Sequence, residues 1–357
     1  MADVTISAQL VKQLREMTDA PMMDCKKALV ETGGDIDKAV DFLREKGLSK
    51  ASKKADRIAS EGVINMKIAP DFSKASLLEI NSETDFVAKN DSFIALVSKT
   101  TDTIFDKEID TMQDLKTISI DNTKFAEFFQ QNIAKIGENI VLRRFQTLKA
   151  NAQVVVNGYV HTNKRVGVLI VLRFGKEENR DKAIALAKSL AMHAAAMKPQ
   201  TISYKDFALD FIEKEKVALV AELEKENEEL ARLKKPLHKI PRFVSQKELT
   251  AEILKEEEEH LKEELKAQNK PEAIWDRIIP GQMERFVADN TLLDQRLTLL
   301  GQFYILDDKK RVEQILGETG KAANDVFSVV NYVRFELGEG IEKKENDFAA
   351  EVAAQLG

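Results

Sequence analysis

The sequence predicts an α+β protein, and three observations point to this class. Apolar residues recur at helical spacing through the first fifty residues, and from Glu61 onward they alternate as they do in β-strands. They return to helical spacing in a long, highly charged stretch over residues 206–270. Only seven prolines and fifteen glycines interrupt the chain, so we expect long elements. The predicted architecture is an N-terminal three-helix module, a core of two antiparallel sheet/helix subdomains, a long helical-hairpin (coiled-coil) arm and a C-terminal helix.

Composition excludes several classes of protein. With 43% hydrophobic residues, the chain has enough apolar side chains to form packed cores instead of remaining disordered. Its longest apolar run, residues 166–172, is far shorter than the ~20 residues of a membrane-spanning helix. The lone Cys25 excludes an internal disulfide framework, and the N-terminus lacks the pattern of a secretion signal. A net charge of −6 without a basic domain gives no sign of direct nucleic-acid binding. We therefore expect a cytoplasmic protein with neither a nucleic acid nor a membrane as partner.

Residues 1–55 predict a compact helical module. Ser7 is the expected N-cap of the first helix, and Pro21 separates it from the second. Asp35 is the expected N-cap of the third helix, which should end before Gly47. Three short helices enclose too little volume for a catalytic cleft, so this module suits binding.

The core is predicted to consist of two related subdomains, residues 56–140 and residues 141–205 with 271–340. Gly62 and Gly158 each open a hairpin that is followed by a helix. Each subdomain should therefore be an antiparallel sheet covered by helices. The expected strands are residues 61–68, 75–80, 140–148, 154–162, 166–173 and 325–336, and the expected helices are 91–105, 122–136, 180–197 and 311–318.

The stretch 206–270 predicts an arm that leaves the core. Its leucines alternate at spacings of three and four residues, which is typical of a short coiled coil. Pro236 and Pro241 must interrupt the helix, so we expect two antiparallel helices joined at a proline-rich tip. Thirty helical residues would reach ~45 Å. Such an arm suits a protein that holds a partner.

Residues 341–357 predict a short C-terminal helix. They follow two glycines, Gly338 and Gly340, and place Phe348 and Val352 on one apolar face. This helix is too short to form a core by itself, so we expect it to dock on something else.

Motifs for metal binding or catalysis are missing from the sequence. The four histidines share no metal-ligand spacing, and His193 is expected to be a hydrogen-bonded core residue. Gly320-Lys321 superficially resembles a phosphate-binding loop, but Ile315 and Ala322 stand where that motif needs Gly and Ser or Thr. We expect a protein that is not an enzyme, has no cofactor and binds no metal.

Phe86 stands out because it lies in a connection between a predicted strand and a predicted helix. It is flanked by Asp85 and Lys89. An apolar residue in this position often packs as a staple against its own helix. It could equally serve as an exposed contact for a partner, and the residues alone leave both alternatives open.

The segment TDFVAKND, which begins at Thr84, contains Phe86. It resembles the signature of the bacterial elongation factor Ts family, the guanine-nucleotide exchange factors for elongation factor Tu. LREMTDAPMMDCKKAL and GGDIDKAVDFLREKG resemble its ubiquitin-associated-like three-helix module. KIGENIVLRR, AMHAAAMKP and RFELGEGIEKKENDFAAEVAA match further family blocks in the same order. The arm differs, because it carries a longer charged insertion around residues 222–262.

The resemblance implies which residues contact a partner. Thr84, Asp85, Phe86 and Val87 match the segment linked to dislodging Mg²⁺ from elongation factor Tu, with Phe86 entering an apolar gap on the GTPase domain. The implied partner is elongation factor Tu, both GDP-bound and nucleotide-free, and the resemblance leaves open a homodimer or a dimer of heterodimers. The further contacts that the resemblance implies are Ile136, Gly137, His161, Asp347, Phe348 and Val352.

Two other interpretations remain open on the sequence. A non-catalytic scaffold or adaptor could use the helical module and the coiled coil to bind without affecting nucleotide release. An enzyme of unrecognised type would need a concave polar site, which the sequence does not reveal. Release of GDP from elongation factor Tu distinguishes these interpretations from nucleotide exchange.

Overall fold

The computed structural model describes residues 6–18 and 20–342. The predicted helix with Asp347, Phe348 and Val352 lies outside these residues, so its predicted docking role stays a prediction.

The helices are α1 Ala8–Thr18, α2 Met22–Glu31, α3 Ile36–Ser52, α4 Asp85–Ala88, α5 Asp91–Asp106, α6 Phe125–Ile136, α7 Arg180–Met197, α8 Leu209–Arg232, α9 Ala251–Ala267, α10 Trp275–Asp289, α11 Leu292–Leu297 and α12 Val312–Ala323. The strands are β1 Glu61–Ile68, β2 Lys74–Ser82, β3 Ser119–Ile120, β4 Thr123–Lys124, β5 Val141–Lys149, β6 Val154–Val160, β7 Val166–Arg173, β8 Phe303–Tyr304, β9 Asp307–Arg311 and β10 Ser328–Glu336. The α+β class is confirmed.

The N-terminal three-helix module is confirmed. Helices α1, α2 and α3 pack around a small core that includes Leu14, Cys25 and Leu29. The Asp35 carboxylate accepts a hydrogen bond from the Lys38 amide and so caps α3, as predicted. The prediction that α3 ends before Gly47 was wrong, because the helix continues to Ser52.

Gly47 has a packing role inside α3. A Cβ atom at this position would lie 3.3 Å from the Cβ of Ala134 in α6. The glycine thus allows α3 to pack closely along α6, and this close approach offsets the cost of a glycine in a helix interior. The module is therefore docked on the core and not merely linked to it.

The first sheet has the strand order β1-β2-β5, and all neighbours are antiparallel. Helices α5 and α6 supply much of the core that lies against it, including Phe93, Ile104 and Phe129. The bounds of β1, β2 and β5 lie within two residues of the predicted strands. This agreement reflects the clear alternation of apolar residues in the three strands.

The second sheet has the order β10-β7-β6. The chain forms two compact units, one consisting of the residues before Ile170 together with those after Tyr332, and the other of residues 170–332. The boundaries between the units fall inside β7, after Leu169, and inside β10, after Tyr332. Gly317, Gly320 and Lys321 lie within α12, so they do not form a phosphate-binding loop.

The arm is built differently from two helices that meet at a proline-rich tip. Helix α8 ends at Arg232, and the chain then runs back along it without helical structure. The Asn227 side chain exchanges two hydrogen bonds with the backbone of His238, of 2.9 and 2.6 Å. Further along the return segment, Val244 belongs to the same apolar cluster as Leu219 of α8. The two prolines prevent a helix in this return segment, and α9 packs against α10 instead.

No helix in the described part of the chain is long and apolar enough to cross a membrane.

Candidate partner-binding site

Phe86 lies on α4, a single helical turn between β2 and α5. Thr84 caps this turn, because its hydroxyl oxygen accepts a hydrogen bond of 3.4 Å from the Val87 amide. Asn90 in turn caps α5 by accepting a hydrogen bond from the Ser92 amide. The two caps fix the backbone on both sides of Phe86. We refer to residues 83–89 as the Phe86 loop.

The Phe86 side chain is 80% exposed, whereas Val87 and Ala88, which follow it, are partly buried. Val87 and Ala88 pack against the core of the first sheet. The staple that holds this turn to the subdomain is therefore formed by Val87 and Ala88. Phe86 does not pack within its own subdomain, so the structure contradicts the alternative in which it acts as a staple.

The loop after α6 braces the Phe86 loop. Gly137 ends α6 in the left-handed region with φ of 91°, which favours glycine, and it directs Glu138 toward the Phe86 loop. The Glu138 carboxylate accepts hydrogen bonds from the Thr84 amide at 3.0 Å and from the Thr84 hydroxyl at 2.7 Å. Ile136 packs against the core. The structure thus brings the segments TDFVAKND and KIGENIVLRR, which are far apart in the chain, together at the Phe86 loop.

A second set of hydrogen bonds joins the same two loops to the segment that follows α3. The Glu83 carboxylate accepts a hydrogen bond of 2.6 Å from the Asn139 amide. The Asn139 side chain is 3% exposed and donates to the carbonyl oxygen of Arg57 at 2.7 Å. Lys54 donates to the carbonyl oxygen of Gly137. The Phe86 loop, the loop after α6 and the segment after α3 are consequently joined in one network of hydrogen bonds.

Asp85 is exposed and pairs with Lys89 one turn later, at 2.8 Å. The hydrogen bond from Lys89 holds the pKa of Asp85 below its ordinary value. Asp85 is therefore a carboxylate at neutral pH, and it places a negative charge beside the exposed ring. In this structure its partner is Lys89.

His161 lies in the turn between β6 and β7 and is exposed. Its backbone closes the turn by donating to the Val166 carbonyl oxygen at 2.9 Å, and its ring lies edge-on to Tyr159. Among the described residues, no hydrogen bond or ion pair joins His161 to the Phe86 loop. The structure thus brings Thr84–Val87 together with Ile136 and Gly137 but leaves His161 on a turn of its own. Asp347, Phe348 and Val352 lie outside the described residues.

The sequence prediction missed the side chains that hold the loop. Glu83, Glu138 and Asn139 form its bracing hydrogen bonds. All three stand inside or beside the matched segments TDFVAKND and KIGENIVLRR, so the signal was present. Their pairing depends on two loops that are more than fifty residues apart in the chain, and no local pattern reveals such a pairing.

The buried histidine His193 has structural partners. Within the described ranges, no group of three or more His, Cys, Asp or Glu residues could hold a metal ion. Burial lowers the pKa of His193 to about 4, so its ring is neutral. Its Nδ1 accepts a hydrogen bond from the Ile305 amide, and its Nε2 lies 3.2 Å from Gln302. His193 is the hydrogen-bonded core residue that the sequence predicts.

A pocket of about 280 Å³ lies between the three-helix module and α6. Two of its charged side chains, Asp24 and Lys46, form an ion pair of 2.9 Å with each other. A third, Arg44, pairs with Glu127. These side chains already satisfy one another, and the pocket shows no nucleophile beside a base.

Comparison with known proteins places these features in one family. The model of the elongation factor Ts family matches residues 83–240 and 237–339. The chain is 65% identical to elongation factor Ts of Wolinella succinogenes over 357 residues, which is the full length of both. It is 64% identical to elongation factor Ts of Helicobacter hepaticus over all of both chains, and 59% identical to that of Helicobacter pylori over 98% of this chain and 99% of the other. The chain that carries the Phe86 loop therefore belongs to the elongation factor Ts family of translation elongation factors.

Proposed function

We propose that this protein binds elongation factor Tu with GDP bound and promotes release of the GDP, so that GTP can bind in its place. The observation that supports this most directly is the exposure of Phe86 on a braced loop. An aromatic side chain that is 80% exposed contributes little to the stability of the free protein and is available for contact with a partner. On this proposal, the protein acts as an exchange factor in the cytoplasm and has no chemical active site.

The bracing makes Phe86 suitable as a wedge. A side chain can push into a partner only if its own backbone does not yield. The two hydrogen bonds from Thr84 to Glu138, together with the bond between Asn139 and Glu83, supply that rigidity. Interface positions that carry the most binding energy are often aromatic anchors that fill a pocket on the partner.

The wedge acts on a metal ion that belongs to the partner. In a GTPase, Mg²⁺ bridges the nucleotide phosphates and the loop residues, so moving its ligands weakens nucleotide binding. We propose that Phe86 shifts those ligands by entering an apolar gap on the GTPase domain, with Asp85 beside it. This protein needs no metal or cofactor of its own for that step.

One wedge supplies only part of the effect. Fully burying a phenylalanine contributes roughly 1.5–3 kcal/mol. That corresponds to ~10- to 150-fold in an equilibrium constant. Further contacts must add to it, and we propose Ile136, Gly137, His161, the three-helix module and the C-terminal segment with Asp347, Phe348 and Val352.

Release of a fluorescent GDP analogue from elongation factor Tu tests the proposal. We expect this protein to accelerate release when present in substoichiometric amounts, because an exchange factor leaves the complex and acts again. The Phe86→Ala variant should lose most of that acceleration. Met112→Ala is a matched control, since Met112 is also apolar and 48% exposed on the same compact unit. If the unaltered protein leaves the release rate unchanged, the proposal is wrong.

The scaffold or adaptor function remains the second candidate. It is supported by exposed apolar side chains on the three-helix module, where Met23 is 75% and Met22 is 51% exposed. A scaffold would bind elongation factor Tu stably without changing the rate of GDP release. The same assay, combined with a binding measurement, therefore separates the two functions.

A further inference from the structure

Glu79 is a fully buried carboxylate at the centre of β2. Its side chain is 0% exposed. A buried charge is costly unless it is paired and hydrogen-bonded. Arg143 donates to Glu79 Oε1 at 2.9 Å, and Arg144 donates to Oε2 at 2.6 Å. Two guanidinium groups thus compensate one carboxylate.

The backbone is specially shaped to bring both arginines to Glu79. Successive side chains of a regular strand point to opposite faces of the sheet, so two neighbouring arginines could not both reach one carboxylate. The pairing of β2 with β5 is irregular here, because Glu79 is opposite Arg144 while Ile80 is opposite Leu142. Arg143 is the extra residue of a β-bulge. The bulge lets Arg143 and Arg144 both reach Glu79.

The same three side chains hold the segment that leads to the C-terminus. The Gly338 amide donates to Glu79 Oε1 at 2.8 Å. Arg144 donates to the Glu336 carbonyl oxygen and to the Glu339 carboxylate, each at 3.0 Å. Arg143 donates to the Glu339 carbonyl oxygen.

Gly338 is required for this close contact. Its φ is 71°, and a Cβ atom there would lie 2.6 Å from the Ser60 carbonyl oxygen. A larger residue would therefore be strained and would push the segment away from the sheet. Charge pairing and glycine geometry together fix the point from which residues 341–357 depart.

Glu79 is also connected to the Phe86 loop. It stands on β2, the strand that leads directly into that loop. The two arginines stand on β5, shortly after the bracing residues Glu138 and Asn139. The cluster therefore touches the strands on both sides of the candidate site as well as the departure point of the C-terminal segment.

We propose that Glu79, with Arg143 and Arg144, is a positioning residue that sets the place of residues 336–342, from which the C-terminal segment departs, relative to Phe86. A partner then meets the wedge and the start of the C-terminal segment at one fixed separation. The consequence for binding rests on the proposed function. The positioning itself does not, and it can be measured without a partner.

The distance between spin labels tests the positioning directly. Labels on Phe86→Cys and Glu342→Cys should give one narrow distance distribution, and Glu79→Gln should broaden or shift it. Gln keeps the shape of the side chain but removes the charge that both arginines require. Labels on Phe86→Cys and Gln113→Cys form the control pair within one subdomain, and Cys25 is fully buried. An unchanged distribution for the first pair, or equal broadening of both pairs, would overturn the proposal.

A second variant, Gly338→Ala, keeps the test decisive if the Glu79→Gln chain does not fold. Gly338→Ala should shift the distance between residues 86 and 342 through its contact with Ser60, without altering any charge. If the Glu79→Gln chain does not fold, the Gly338→Ala chain gives the decisive distance. An unchanged distance between residues 86 and 342 in the Gly338→Ala chain would equally contradict the proposal.

Affinity for elongation factor Tu tests the consequence. We expect Glu79→Gln to weaken binding by about tenfold in the full chain, within the range of coupling measured for residues that share a network. In a chain that lacks residues 341–357, the same substitution should have no effect. A purely structural role of Glu79 would weaken binding equally in both backgrounds, and that result would refute the link to the C-terminal segment. If the unaltered chain does not bind elongation factor Tu at all, the proposed function fails, while the label distances still decide the positioning.

Discussion

Phe86 and Phe93 are two aromatic residues seven positions apart with opposite environments. Phe86 is 80% exposed, and Phe93, a residue of α5, is fully buried in the core of the first sheet. We expect Phe86→Ala to change the free energy of unfolding by less than about 0.5 kcal/mol, as for an exposed residue. Phe93→Ala should cost ~3–5 kcal/mol, because it leaves a cavity in a packed core.

Thermal or denaturant unfolding of both variants, measured beside their rates of GDP release, checks this contrast. With the Phe86→Ala chain, catalysed GDP release at saturating elongation factor Tu should be at least ~30-fold slower. This factor corresponds to the loss of about 2 kcal/mol, which is typical when a central aromatic residue of an interface is truncated. A Phe86→Ala chain that is markedly destabilised yet promotes normal GDP release would exclude Phe86 as the wedge.

Glu138 offers a separate test of the brace. Glu138→Ala removes both acceptors of the Thr84 hydrogen bonds, each of which contributes about 1 kcal/mol. We expect faster hydrogen exchange at the Thr84 amide, and slower GDP release because the wedge yields. Exchange at the amides of α7, in the other compact unit, should stay the same. Thr84→Ser is the matched variant, since it keeps the hydroxyl; a loss of activity in Thr84→Ser equal to that in Glu138→Ala would argue against the brace.

His193 predicts how stability depends on pH. Its pKa is about 4 in the folded chain, lowered from 6.5 by burial. Between these two values the unfolded chain binds a proton that the folded chain does not. The free energy of unfolding should therefore fall as the pH drops from 6.5 to about 4, by up to roughly 3 kcal/mol. This dependence should disappear in His193→Gln and persist in His161→Gln, because His161 is exposed. If the free energy of unfolding depends on pH equally in the unaltered chain and in both variants, His193 is not the source of the dependence.

The arm shows at the scale of whole elements how far the sequence predicts the fold. The leucine spacing predicts α8, and the prolines predict where helical structure must stop. The sequence does not reveal that the return segment runs along α8, because this arrangement depends on single side chains such as Asn227 and Lys216. Nor does it reveal the bulge at Arg143, since the bulge is defined by how β5 pairs with β2, a strand that lies far away in the chain. Local periodicity specifies elements, whereas their pairing depends on distant polar partners.

The contacts along the arm predict which part of it is dispensable for folding. Asn227 and His238 are joined by hydrogen bonds, so residues 228–237 form a distal loop whose ends lie together. Replacing that loop by a short glycine-containing turn should leave Tm unchanged. Replacing residues 222–262 should lower it, because Leu223 and Val244 pack in one cluster with Leu293. Calorimetry of both chains measures this, and an equal Tm for the two would show that the cluster adds nothing to stability.

At the scale of the whole molecule, an exchange factor must combine two kinds of contact with its partner. Contacts of the first kind hold the partner equally well whether or not nucleotide is bound. Contacts of the second kind compete with nucleotide. Because coupling between two ligands is reciprocal, the factor by which this protein weakens GDP binding equals the factor by which GDP weakens binding of this protein. Residues that make the first kind of contact can therefore be distinguished from those that make the second by measuring the affinity for GDP-bound and for nucleotide-free elongation factor Tu.

We assign Phe86 to the second kind and residues 341–357 to the first. Deleting residues 341–357 should leave the rest of the chain folded and weaken binding of elongation factor Tu by the same factor with and without GDP, so that the coupling factor is unchanged. Phe86→Ala should instead weaken binding mainly to the nucleotide-free partner, and so reduce the coupling factor. Titration calorimetry with GDP-bound and nucleotide-free elongation factor Tu gives all four affinities. A deletion that lowers the coupling factor as much as Phe86→Ala would mean that the C-terminal segment competes with nucleotide too, and the division of roles between wedge and anchor would have to be abandoned.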